Sequence, residues 1–199
     1  MNQDYEREAA EQGYTAVCGI DEAGRGPLAG PVCAAAVILP PDFQLDGLND
    51  SKKLSEKRRE ELYGSITLQA VSFGIGWASE AEIDEINILQ ATFLAMRRAV
   101  DNLNPPADYA LVDGNRMPLL SIPGKAIVKG DGKCASIAAA SILAKVTRDR
   151  LLRELDVKYP QYGFAQHKGY GTKSHYAAIK QYGILSVHRR SFLKNIAEK

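Results

Sequence analysis

The sequence predicts an α/β domain: a mixed β-sheet with helices on both sides. Three early apolar segments follow one another closely, which suits an antiparallel meander. Two later apolar segments alternate with helical patterns, which suits parallel additions to the same sheet. The 199 residues are enough for one hydrophobic core without disulfide staples.

Residues 1–13 are a polar lead-in, frayed or helical. Residues 15–21 read as a buried strand and residues 32–39 as a second, joined by a glycine-rich turn and closed by Pro40-Pro41. Residues 49–54 are a polar loop, and Ser55 is placed to N-cap a charged helix ending near Gly64. Val71, Phe73, Ile75 and Trp77 alternate, predicting a third strand with one face buried. Ser79-x-x-Glu82 has the form of a capping box and opens a short helix. Leu89, Phe93, Met96 and Val100 then keep a helical period over residues 88–103, stopped by Pro105-Pro106. Residues 109–113 and 126–128 are the fourth and fifth apolar runs. A long helix over residues 136–157, alanine-rich first and charged later, breaks at Tyr159-Pro160, and another covers residues 172–183.

Ligands of such sheets gather beyond the carboxyl ends of strands. Acids stand at three of those ends: Asp21 with Glu22, Asp113, and Asp131 after Lys129-Gly130. In an extended strand Asp21 and Glu22 point to opposite faces, so a shared site requires the backbone to turn there. Gly24 and Gly26 permit a turn, and Arg25 between them carries a forked donor suited to phosphate. Hard divalent cations take oxygen ligands, Mg²⁺ using a few carboxylates together with waters and phosphate oxygens. Four packed carboxylates would repel one another without such cations. Each acid alone fits an ordinary turn or cap; jointly they point to metal-assisted chemistry on a phosphate.

Charge supports this reading. Residues 1–122 carry a formal charge of −9 and residues 123–199 of +10. An acidic part able to hold cations is thus joined to a basic part able to hold a polyanion. Tyr159, Tyr162, Tyr170, Tyr176 and Tyr182 fall in the basic part, where aromatic faces suit sugars and bases. Other chemistries lack their patterns. His167, His175 and His188 form no zinc motif, no serine sits in a nucleophile elbow, no P-loop occurs, and Gly24-Arg25-Gly26 is too short for a dinucleotide fingerprint. Cys18, Cys33 and Cys134 read as reduced core thiols. Neither a signal peptide nor a membrane-length apolar run is evident, so a soluble cytoplasmic protein without membrane contact is expected.

Asp21-Glu22-Ala23-Gly24-Arg25-Gly26-Pro27-Leu28 resembles the signature of the bacterial ribonuclease HII family, the type 2 ribonucleases H. Residues 49–54, 112–115, 129–131, 136–149, 167–171 and 188–192 are similar to its other blocks, in order, over nearly the whole chain. The resemblance implies a ribonuclease H-like mixed five-stranded sheet flanked by helices. Residues 1–157 would form the catalytic core, and residues 158–199 a basic helical segment packed on it within one structural unit. It implies endonucleolytic cleavage of RNA in RNA/DNA hybrids and at ribonucleotides embedded in DNA duplexes. The cut would fall on the 5′ side of the ribonucleotide, by two-metal-ion hydrolysis that leaves 3′-hydroxyl and 5′-phosphate ends. By the same resemblance Asp21, Glu22, Asp113 and Asp131 are the catalytic acids and ligands of two Mg²⁺ or Mn²⁺ ions. Gly24, Arg25 and Gly26 would read the 2′-hydroxyl, Tyr170 would pack on the following deoxyribose, and Ser51 and Lys52 would complete the substrate contacts. A monomer is expected. Gly171 departs from the proline that many relatives carry after this tyrosine. The related ribonuclease HIII pattern, with an added N-terminal domain and a different residue between the glycines, does not fit. A binding module that has lost cleavage, or a phosphatase or nuclease for other substrates, are the competing readings. The intact acid quartet argues against the first, and Arg25 with Tyr170 against the second.

Overall fold

The computed structural model describes residues 3–48 and 54–193. Its sheet has five strands: β1 (Val17–Ala23), β2 (Val32–Ile38), β3 (Ser72–Ala78), β4 (Tyr109–Asp113) and β5 (Gly124–Ile127). Their order is β3-β2-β1-β4-β5, with β1, β2 and β3 antiparallel and β4 and β5 added parallel beside β1. The meander and the parallel additions are both as the sequence predicts.

Helices cover both faces. β2 is buried along its whole length. Its Ala34 and Ala36 face α3 (Glu80–Asp101), while Cys33, Ala35 and Val37 face α4 (Ala135–Lys158) and α2 (Glu56–Gln69). Small side chains let both helix layers approach closely. The lead-in is helix α1 (Asp4–Glu11). Asp113, Asp131 and the glycine loop after β1 all hang from this frame.

Two local expectations are corrected. Helix α2 does start at Ser55, whose side chain accepts from Arg58 N–H, but it passes Gly64 and ends at Gln69. Leu62 and Ile66 supply the buried anchors that carry it on. On β3 the fully buried face is not the one bearing Phe73, Ile75 and Trp77; it is Ser72, Gly74, Gly76 and Ala78. A Cβ on Gly74 or Gly76 would collide with the carbonyl oxygens of Ala99 or Ala95, so α3 lies directly on the strand backbone. Large residues were excluded from that face by proximity. The capping box at Ser79 and Glu82 forms as the sequence predicts, and Asn87 at φ 68° separates the short helix it opens from the longer one that follows.

Beyond Tyr159 the chain forms a turn, the short α5 (Phe164–His167) and α6 (Lys173–Tyr182), capped by Thr172 and Gly183. Tyr162, Phe164, Ala178, Ile179 and Leu193 pack here against Leu28, Ala29 and Leu152. The C-terminal segment therefore rests on the loop after β1 and the end of α4. All three cysteines are buried and free, and burial pushes Cys18 and Cys134 up to about 12. Among the described residues, no helix is long and apolar enough to cross a membrane.

Candidate active site at the ends of β1 and β4

β1 and β4 run in parallel with Ile20 beside Val112, so their carboxyl ends lie together. The expected turn between the two acids is absent. β1 stays paired with β2 through Ala23, with Asp21 opposite Ala35 and Glu22 opposite Ala34. The chain turns only at Gly24, where φ is 98°. The two carboxylates thus leave the strand on opposite faces, and what they share is the strand's end, where Glu22 lines clefts on both sides of the sheet, so no turn between them is needed. A cleft of about 280 Å³ on the α4 side is lined by Asp21, Gly24, Gly26, Ser141, Lys145 and Tyr170. A second of about 340 Å³ on the α3 side is lined by Thr92, Phe93, Asn115 and Arg116 and extends to Asp113, which, one residue past Val112 as Asp21 is past Ile20, leaves the sheet on the same face as Asp21. Glu22 and Arg25 line both.

Asp21 is buried, and Glu22 N–H donates to its Oδ1 at 2.7 Å. Burial foremost, then the charges of Glu22 and Asp113, push its carboxyl well above the usual carboxylate range, and a hydrogen bond with Ser141 offsets part of this. Asp113 Oδ1 accepts from Gly130 N–H at 2.6 Å, which ties the end of β4 to the turn Gly130–Gly132 carrying Asp131. Lys129, left-handed at φ 57°, sets that turn, and Asp131 lies in it half-buried. Among the described residues no three acidic, histidine or cysteine side chains already enclose a metal-sized space. What the fold assembles is Asp21 in mutual repulsion with Glu22 and Asp113, with Asp131 next to the glycine that anchors Asp113. An all-oxygen donor set with this repulsion fits a hard cation such as Mg²⁺ or Mn²⁺, whose charge would reverse the cost.

The glycine loop is held from beneath by two buried arginines. Arg189 donates to the carbonyls of Gly30 at 2.8 Å, Arg25 at 2.9 Å and Gly24 at 2.5 Å. Arg148 donates to Pro31 at 3.1 Å, Ala29 at 3.0 Å and Lys168 at 3.0 Å. Burial lowers both pKa values, that of Arg189 to about 9. In a trans peptide the N–H points opposite to the C=O. With the carbonyls of Gly24 and Arg25 turned onto Arg189, the N–H groups of Arg25 and Gly26 point away from it, on the side open to an acceptor. Of the two glycines only Gly24 has positive φ; a Cβ there would lie 2.5 Å from Arg148 Cδ and closer still to its Nε. Gly26 has a different duty: a Cβ on it would meet the Tyr170 ring at 3.4 Å.

Tyr170 is 47% exposed and stands over Gly26, while Tyr162 is core and Tyr176 and Tyr182 are surface residues. Gly171 does not leave a gap, because a Cβ there would lie 2.7 Å from Tyr176 Oη. Arg25 is exposed, with Nη1 3.4 Å from Glu22 Oε1. Ser51 and Lys52 lie outside the described residues. Ser141, Lys145 and Arg148 were not singled out by sequence, though their i, i+4, i+7 spacing marks one face of α4. Lys145 is steered by a 2.8 Å bond to buried Asp149. Arg189 left no pattern, since its partners are backbone carbonyls.

The family model described as Ribonuclease HII matches residues 18–195. The ribonuclease HII of Acetivibrio thermocellus is 60% identical over 191 residues, covering 96% of this chain and 75% of that protein. Among solved structures, ribonuclease H2 from Pyrococcus horikoshii superposes with a TM-score of 0.73 at 27% identity, covering 89% of this chain and 93% of that one. Bst-RNase HIII in complex with Mn²⁺ shares the fold at a TM-score of 0.64 and 16% identity, covering 84% of this chain and 63% of its own.

Proposed function

The chain belongs to the ribonuclease HII family and is a ribonuclease H hydrolase acting on RNA/DNA hybrids; from that premise we propose that it also incises DNA duplexes at embedded ribonucleotides. The cut falls on the 5′ side of the ribonucleotide and leaves 3′-hydroxyl and 5′-phosphate ends. The observation that carries the proposal is the buried Asp21 carboxyl set beside Glu22 and Asp113 at the joined strand ends, pushed up foremost by burial and then by those two charges.

In this reading Asp21, Glu22, Asp113 and Asp131 hold two divalent cations, Mg²⁺ or Mn²⁺, and the Mn²⁺ complex of the HIII fold relative supports the choice. Bound there, the cations would supply charge stabilisation for the attacking and leaving oxygens. The chain's own groups choose the substrate. Outward N–H groups of Arg25 and Gly26 meet the 2′-hydroxyl, the chemical difference between RNA and DNA. Arg25 and the basic C-terminal segment hold phosphates without regard to sequence. Tyr170 packs on the deoxyribose that follows. Ser51 and Lys52 add further substrate contacts, residues 158–199 act as a gripping segment on the 1–157 core, and the protein works as a monomer in the cytoplasm.

The test is a labelled DNA duplex with one ribonucleotide, incubated with Mg²⁺ or Mn²⁺ and resolved on a denaturing gel. A single cut 5′ to the ribonucleotide, extendable by a polymerase, is expected. Cleavage of an all-RNA hybrid with an intact single-ribonucleotide duplex would overturn the junction reading.

A further inference from the structure

The three histidines take no part in the chemistry proposed for the acids, yet all are buried and connected. The direction of their hydrogen bonds follows from donors whose roles are fixed. Leu185 N–H donates to His188 Nδ1 at 3.0 Å, so that nitrogen carries no proton. In the neutral ring the proton is on Nε2, 3.1 Å from His175 Nε2. His175 Nε2 therefore accepts, its own proton sits on Nδ1, and Nδ1–H donates to the Tyr170 carbonyl at 2.9 Å. His167 follows the same logic, accepting from Gly169 N–H on Nδ1 at 3.1 Å and donating from Nε2 to the Tyr162 carbonyl at 2.7 Å. Its ring stacks on His175 with centroids 4.3 Å apart. A proton added to His175 or His188 would place a donor against a donor. Burial lowers the pKa of both, in keeping with neutral rings.

Both ends of this chain of bonds reach substrate-facing loops. At one end the carbonyls of Lys168, Gly169 and Tyr170 are held by Arg148, Leu28 N–H and His175 respectively. At the other, His188 bridges Ala29, Gly30 N–H bonds Val187, and Arg189 grips Gly24 and Arg25. Residues 188 and 189 are thus tied to the glycine loop through Ala29 and Arg189 and to the tyrosine loop through His188.

We propose that His188 and His175 are positioning residues, a fixed-tautomer relay that registers Tyr170 against the Gly24–Gly26 backbone and so sets the preference for an RNA-to-DNA junction. The inference rests on the reading of Tyr170 as a sugar contact, and its tests separate the two. His175→Phe keeps a ring for the stack on His167 but removes both hydrogen bonds; His175→Asn keeps a donor near the Nδ1 position. Tyr170→Ala should lower kcat/KM on the single-ribonucleotide duplex by roughly 5- to 150-fold, a stacking-sized loss. His175→Phe should reproduce most of that loss with an all-RNA hybrid changed by less than about threefold, and His175→Asn should recover most of it. In a Tyr170→Ala background His175→Phe should cost nothing further, because its effect runs through that ring.

Losses that multiply in the double variant, or that fall equally on both substrates, would overturn the relay while leaving Tyr170 as a sugar contact. Tyr170→Ala without a selective loss would overturn the contact, and the relay with it. One measurement needs no variant and so stands even where His175→Phe fails to fold. Long-range proton–nitrogen NMR spectra at pH 7 should show His188 and His167 protonated on Nε2 and His175 on Nδ1. Any other tautomer pattern contradicts the relay.

Discussion

Gly24→Ala tests how rigidly the substrate loop is held. The new methyl meets two obstacles: a backbone at φ 98°, and Arg148, whose Cδ would stand 2.5 Å from it. Backbone strain of this kind costs about 1–3 kcal/mol. Arg148 cannot swing aside freely, since its guanidinium serves the carbonyls of Ala29, Pro31 and Lys168. Moving Nε breaks at least the bond to Pro31, and a charge-assisted bond lost in the interior costs about 1.5–3 kcal/mol. The sum is roughly 2.5–6 kcal/mol, or a Tm fall of about 5–24 °C for a chain of this size. Gly26→Ala is the control: its Cβ would only touch the Tyr170 ring at 3.4 Å, and a loss below about 1 kcal/mol is expected. Urea denaturation followed by circular dichroism, with cleavage measured on both substrates, reads the comparison. Gly24→Ala should lower stability and cleave both substrates poorly; Gly26→Ala should stay stable and lose mainly junction cutting. A Gly24→Ala protein within about 1 kcal/mol of wild type would show that Arg148 is not pinned, and the argument for a preorganised loop would fall.

Asp21→Asn should cut turnover on the order of 100-fold or more, the size of losing one preorganised electrostatic group. Because the folded carboxyl is raised, its ionisation works against the metal-free fold as pH rises, so the same variant should have a higher Tm than wild type in chelator at pH 8. An equal or lower Tm would contradict the cost of burying the Asp21 charge beside Glu22 and Asp113. Arg25→Ala should weaken duplex binding and reduce the slope of log affinity against log salt by about 1, the mark of one lost phosphate contact, as read by fluorescence anisotropy. The relay predicts an acid limb in stability. His175 is lowered to about 4 from an ordinary value near 6.5, and His188 is lowered too. Their contribution is complete above about pH 6.5 and is lost as pH falls toward 4, on the order of 3 kcal/mol for His175. Urea midpoints at pH 7, 5.5 and 4.5 should fall in that order, and less steeply in His175→Asn.

The strands and their acids were legible because an apolar run ending in a carboxylate is a local pattern, and β1, β4 and β5 each bring an acid to or just past their ends. The capping box of α3 and the bounds of α6 were legible for the same reason. Features set by packing between distant segments were not. The large residues Phe73, Ile75 and Trp77 suggest the wrong inner face, and only the backbone of α3 lying on Gly74 and Gly76 shows which face is inside. Gly64 looked like a helix end, yet it faces open space while Leu62 and Ile66 hold the helix to the core. The turn expected between Asp21 and Glu22 gave way to pairing with Ala35 and Ala34, which keeps β1 extended for two more residues. Along the chain the histidines show only that they lack metal-ligand spacing. Their partners are carbonyls and one another, a relation invisible along the chain. The buried arginines escaped for the same reason, since a guanidinium bound to carbonyls leaves no acid at a regular spacing.

The central claim is that the acids at the ends of β1 and β4, with Asp131 on the adjoining turn, hold the cations that cut RNA next to DNA. Anomalous diffraction at the manganese edge, from crystals soaked in Mn²⁺ with a non-cleavable junction duplex, addresses it directly. The account predicts peaks bounded by the carboxylates of Asp21, Glu22, Asp113 and Asp131, with the scissile phosphate beside them. Peaks that avoid Asp21, or a phosphate seated elsewhere on the protein, would contradict it.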